Sequence, residues 1–228
     1  MDTNLLFTGA VQLLVLLFAI SAREAAHAWV AERCGDSTGR LLGRVSLNPL
    51  RHIDLFGSLL FPLILVVFVM PVVFGWGRPV PVLAKNLRRP GRDDVLVSAA
   101  GPGANLLLSL LAVAGLFVAV LVVGPEGKRA VLSALGLPGA ASGILRSYPL
   151  MYTLATVASI NAFLGLFNLI PLPPFDGGRI LLATLPAPWA ERFAALPWYG
   201  FMIGVAFAML AVLVLWFLFI SVLSLCFL

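Results

Sequence analysis

Long apolar runs, broken by short segments rich in Gly, Pro and Arg, set the pattern of this chain. A hydrocarbon core about 30 Å thick is crossed by roughly 20 apolar residues in a helix. Four runs reach that length: Leu5–Val30, Leu55–Phe74, Val95–Val123 and Met151–Leu172, the last ending in a proline-rich turn. A fifth, Tyr199–Leu228, reads as one long tilted helix or as a helix with an interfacial start. Segments 31–54 and 75–94 have room for short strands or re-entrant loops. Segments 124–149 and 177–198 hold proline-separated amphipathic pieces, such as the stretch from Trp189, that suit the membrane interface. The expected architecture is an all-α polytopic membrane protein. It has about five transmembrane helices with short β or re-entrant segments, in one domain over residues 1–228, and no internal repeat.

Composition supports that solvent assignment. Hydrophobic residues make up 61% of the chain and charged residues 11%, against about a quarter charged in soluble domains. Mean hydropathy is +1.05. The net charge of +5 comes from basic residues in the short connections, with no basic block and no interleaved aromatics, which excludes a nucleic-acid partner. If five helices alternate sides, segments 31–54 and 124–149 together carry seven Lys or Arg, and segments 75–94 and 173–198 also carry seven. Loop charge then leaves the sidedness open. The N-terminal run lacks a basic leader and a small-x-small cleavage site, so it reads as a retained helix. Cys34 and Cys226 stand in no CxxC or Cys/His cluster, which argues against a disulfide framework or a thiolate zinc site.

Charge inside an apolar helix marks a site or a wet cavity. The first run contains Arg23-Glu24-Ala25-Ala26-His27, one residue away from H-E-x-x-H. In that motif two histidines one turn apart bind zinc, and the intervening glutamate is the general base. Alone, R-E-x-x-H is equally compatible with Arg23 and Glu24 at the membrane edge and His27 packed in a core. The fourth run ends in Asn168-Leu-Ile-Pro171-Leu-Pro173-Pro174-Phe175-Asp176-Gly177-Gly178. Its prolines stop helical hydrogen bonding and its glycines permit tight turns, so Asp176 sits on irregular backbone. Such backbone is tolerated at membrane depth only in protein or beside a cavity; the alternative is a helix-ending loop with an exposed aspartate.

Together the two motifs resemble the site-2 protease family of intramembrane zinc metalloproteases. That family pairs an H-E-x-x-H helix with a later N-x-x-P-x-x-x-x-D-G turn. Leu47–Asp54 and Phe56-Gly57 after the first run, Gly75–Val82 after the second and Ala100–Asn105 at the start of the third fit it in the same order. The resemblance covers residues 10–220. It implies a zinc ion held by His27 and Asp176, with Glu24 as general base in hydrolysis of transmembrane segments. Gly101 and Gly103 would pack the third helix on the site. Asn105 would bond the substrate backbone or serve as a helix-packing residue, and His52 would position a loop. It implies a multi-pass protein of a prokaryotic cell (inner) membrane, with a transmembrane peptide segment and the lipid bilayer as partners.

Arg23 breaks the pattern. A guanidinium stays protonated, offers no lone pair to a metal and repels a divalent cation. Only His27 and Asp176 remain as protein ligands where catalytic zinc sites keep three. Cys34 lies about 10 Å along the helix from His27 at 1.5 Å per residue, too far to substitute. Two main readings follow. One is a pseudoprotease in which Arg23 replaces the zinc charge against Glu24 and Asp176, binding membrane segments or a partner without cutting. The other is a metalloprotease with an impaired, nonstandard metal site. A transporter predicts paired repeats, and none is present.

Overall fold

The structure, a computed structural model, describes residues 3–68, 73–135, 147–194 and 198–227. Its first helix, α1 (Thr3–Arg33), is followed by a single turn, α2 (Thr38–Leu41). A π-helical stretch, Leu55–Leu60, runs into α3 (Phe61–Val67). Then come α4 (Pro90–Val123), α5 (Pro125–Ala134), α6 (Pro149–Asn168), α7 (Asp176–Thr184), α8 (Ala187–Ala194) and α9 (Trp198–Leu225).

The helix ends follow local chemistry. At the end of α1, Gly35 takes φ +114 and Asp36 N donates to Ala31 O at 2.9 Å, closing off the last-turn carbonyls. α4 opens on Pro90, whose missing N–H is no loss at a first helical position. One turn on, Asp93 reaches back to accept from Arg89 N at 2.8 Å. Gly124, at φ +79, ends that helix.

Three helices carry the fold. α4 runs antiparallel to α1: Arg88 N meets Cys34 O at 3.0 Å, while Gly101 lies against Arg23 and His27 further in. α4 is also antiparallel to α6, with Ser109 Oγ donating to Ala158 O at 2.8 Å and Gly165 against Leu106 and Pro102. Buried Leu16, Ala19 and Ile20 of α1 pack on Ile160 and Leu164 of α6. A second cluster joins Leu116 and Val120 of α4, Val131 of α5, Met151 of α6 and Leu223 of α9. Large side chains left outside, such as Leu110, Leu121 and Val122, are exposed on α4 as a lipid-facing surface requires.

Several sequence expectations are corrected. Among the described residues, three helices are long and apolar enough to span a membrane: Leu6–Arg33, Pro90–Val123 and Pro149–Asn168. Leu55–Val67 is a shorter apolar helix, and Met209–Leu225 is the apolar C-terminal part of the 28-residue α9. The second run does not carry the chain across. Trp76 N donates to Gly57 O at 3.1 Å and Ser58 Oγ to Trp76 O at 2.8 Å, so residues 73–76 fold back beside the start of the π-helical stretch. Residues 69–72 of that run lie outside the described set, as do residues 136–146 of the connection between α5 and α6.

No strand forms among the described residues of 31–54 or 75–94. The extended stretch after Gly75 contains Pro79 and Pro81, which remove ladder donors. It is tied down by separate bonds instead, including Arg78 N to His52 O at 2.8 Å. Segments 31–54 and 75–94 therefore share one face. The segment after α6 joins them, because Arg179 of α7 pairs with Asp94 of α4.

Candidate functional site

Arg23 and His27 stand one turn apart on α1 and so project from the same side of the helix. His27 is about 9 Å from the end of α1 at 1.5 Å per residue. Asp176 reaches them because Pro171, Pro173 and Pro174 stop α6 and turn the chain into α7. Gly177 is required there: a Cβ at that position would lie 2.2 Å from Leu169 O. Asn168, the last residue of α6, donates from Nδ2 to Leu164 O at 2.8 Å and lines the cavity below.

The charges meet around Arg23. Its Nη1 donates to Glu24 Oε1 at 2.8 Å and its Nη2 to Asp176 Oδ2 at 2.6 Å. The side chains of Glu24 and Asp176 are 4% and 8% exposed and that of Arg23 is 16%, so the ion pairs lie largely out of water. Glu24 Oε2 accepts from Val80 N at 3.0 Å, which fixes the carboxylate against the extended segment.

His27 is aimed by α4. Its Nδ1 lies 2.7 Å from Val97 O, an acceptor, so Nδ1 carries the proton of that bond. Nε2 is buried, stands 3.3 Å from Asp176 Oδ2 and has no hydrogen-bond partner. This close approach depends on Gly101, where a Cβ would fall 2.1 Å from His27 Nε2 and 2.9 Å from Arg23 Cγ. Pro102 follows inside α4, where its ring removes a helical hydrogen bond.

Beside this centre lies a cavity of about 500 Å³, within the range of ligand-sized clefts. Arg23, Glu24, His27 and Asp176 line its polar end, and Phe74, Trp76, Phe167 and Phe175 form much of the rest.

Of the residues singled out in the sequence, Arg23, Glu24, His27, Asn168, Asp176 and the Gly177 turn come together. His52 sits outside the cavity lining, buried, with Nε2 against Ser46 O at 2.8 Å and its own carbonyl holding Arg78 N. Asn105, one turn beyond Gly101, is wholly buried with neither amide atom bonded, and it too lies outside the lining. Cys34 is buried between α1 and α4 with Leu87 and Val97, away from the site. Sequence reasoning missed the Val80 amide, the Val97 carbonyl and the Arg179–Asp94 pair that ties α7 to α4. The two backbone groups carry no side-chain signal at all.

A helical membrane protein with a metallopeptidase-type Glu and His on one span and an Asp-Gly turn after another is the class these features define. The chain belongs to peptidase family M50, a membrane zinc metalloprotease family, whose pattern matches residues 11–213. It is 34% identical over 190 residues to YwhC of Bacillus subtilis, named as a candidate zinc metalloprotease, covering 83% of this chain and 76% of that one. It is 28% identical over 204 residues to Rip2 of Mycolicibacterium smegmatis, named likewise, covering 88% and 67%. A stretch of 41 residues is 56% identical to the zinc metalloprotease MJ0392 of Methanocaldococcus jannaschii, covering 18% and 11%. No solved structure matches.

The residues present do not fit the family's zinc. At position 23, where the resemblance expects a ligand, stands a guanidinium bonded to Asp176, itself an expected ligand. Among the described residues no group of three or more His, Cys, Asp or Glu could hold a metal, whereas catalytic zinc keeps three protein ligands.

Proposed function

We propose that this chain is a zinc-free member of the peptidase fold that holds membrane-spanning peptide segments without hydrolysing them. The observation that carries the reading is the position of Arg23, whose guanidinium bonds Glu24 and Asp176 together. It supplies within the protein the positive charge that a metal supplies elsewhere in the family. A guanidinium bound in this way neither activates water nor leaves Glu24 free as a base. What supports segment binding is the apolar and aromatic cavity beside the centre and the extended backbone at Val80 along its wall.

A second reading keeps hydrolysis. It is favoured by His27, whose ring is already oriented by Val97 O and whose Nε2 is unpartnered. Here Arg23 swings away and a weak metal site forms on His27 and Asp176.

Zinc content of the purified, detergent-solubilised protein, measured beside an Arg23→His variant, separates the two. The proposal expects negligible zinc in the unaltered chain, and near one zinc per chain with cleavage of a model transmembrane peptide in the variant. Near one zinc per chain in the unaltered protein would overturn it.

A further inference from the structure

A second hollow, of about 710 Å³, opens where α1 ends and α4 begins. Arg33, on the last turn of α1, and Arg88, Arg89 and Arg92, around the start of α4, line it. All four are exposed, and none lies within ion-pair distance of a carboxylate among the described residues, whereas Arg23, Arg40, Arg129 and Arg179 all do. Asp93, the acid in the lining, is buried and turned to the backbone N–H of Arg89. It leaves the hollow strongly positive. The Arg33 guanidinium lies over the Trp29 ring, 4.7 Å from its centroid, a cation–π contact that holds it at the rim.

The hollow sits at the membrane surface. The Leu6–Arg33 span has 28 residues, about 42 Å of helix against a hydrocarbon core of about 30 Å. Its last turn therefore reaches the headgroup layer, where half-exposed tryptophans such as Trp29 concentrate. Exposed Leu96 continues the lining one turn further into α4, toward the lipid.

We infer that this hollow binds the headgroup phosphate of an anionic phospholipid, with its acyl chains against Leu96 and the outer face of α4. Guanidinium groups pair with phosphate oxygens through paired N–H donors, and basic pockets between membrane helices suit such headgroups. The apolar flank, which a free anion cannot use, selects a lipid over a soluble phosphate.

Calorimetric titration in non-ionic detergent tests this with dihexanoyl-phosphatidylglycerol, dihexanoyl-phosphatidylcholine and inorganic phosphate as probes. Saturable binding of the anionic lipid is expected, with much weaker response to the other two. The triple variant Arg88→Gln, Arg89→Gln, Arg92→Gln should bind it about a hundredfold more weakly, from about fivefold per arginine. A control with Lys128→Gln, Arg129→Gln and Arg192→Gln removes the same charge elsewhere and should bind as the parent does. Should the triple variant fail to fold, Arg33→Gln carries the test with about a fivefold loss. Equal binding of the two lipids, an equal loss in the control, or phosphate binding as tight as the lipid's would overturn the assignment.

Discussion

Arg23 Nη2 and Asp176 Oδ2 lie 2.6 Å apart although 153 residues separate them along the chain. The contact ties the first span to the turn after α6, between two positions at which the family resemblance expects zinc ligands. One guanidinium there bridges two carboxylates, so removing it leaves Glu24 and Asp176 close together and uncompensated.

Loss of that cation is expected to be expensive. Breaking one partner of a buried ion pair costs about 3–5 kcal/mol. Arg23→Gln should lower stability by an amount near the bottom of that range, since the side chain keeps some exposure. Denaturant unfolding in detergent of Arg23→Gln, Asp176→Asn and the double variant measures the coupling. A double variant whose loss equals the sum of the single losses would show that the two side chains act independently.

Gly101 should tolerate no side chain. A Cβ there meets the His27 ring at 2.1 Å, and overpacking of this kind costs about 1–3 kcal/mol. Gly101→Ala should therefore reduce the thermal midpoint, while Gly103→Ala, with nothing within 4 Å of its Cβ, should not. Equal effects of the two substitutions would refute the close approach of α4 to α1.

Acid should loosen the join between α1 and the extended segment. Burial pushes the Asp36 carboxyl up. The hydrogen bonds from Asn86, Thr38 and the Leu83 N–H outweigh it, leaving the group below its ordinary range. A carboxyl depressed in the folded state contributes stability that is full above its unfolded value of about 3.9 and is lost as the pH falls through the lower folded value. Thermal unfolding followed from about pH 7 down to about pH 3 should show a steeper acid decline in the parent than in Asp36→Asn. Parallel curves would remove Asp36 from the account.

The fold also fixes a charge asymmetry. With α1, α4 and α6 as spans and residues 55–68 and 73–76 leaving and returning on one side, segments 31–54, 75–94 and 169–194 share a face and hold eleven of the fifteen Lys and Arg. The segment between α4 and α6 holds three. Positive residues collect on the cytoplasmic side, so a cysteine at Arg51 or Lys85 should react only with a permeant thiol reagent in intact cells. One at Lys128 should react with an impermeant reagent, and the opposite pattern would invert the topology.

The amino-acid sequence by itself determined the solvent, three of the spans and the motifs that carry Arg23, Glu24, His27 and Asp176. Apolar runs of sufficient length leave the chain no option but lipid, and Arg23, Glu24, His27 and Asp176 stand in motifs whose spacing is fixed by helix pitch and proline chemistry. Tertiary structure alone decided the rest. The apolar run after Asp54 looked like a crossing helix because hydropathy records composition, whereas its return depends on bonds from Trp76 to Gly57 and Ser58 across a fold in the chain. The expected strands failed because prolines strip donors from a segment whose remaining amides find partners distant in sequence, Val80 N on Glu24 among them. Whether Arg23 faced lipid, water or Asp176 was likewise settled only by the packing of α1 against α4 and the turn into α7. The sign of a charge is written in the sequence, but its partner is set by where the backbone brings the opposite charge.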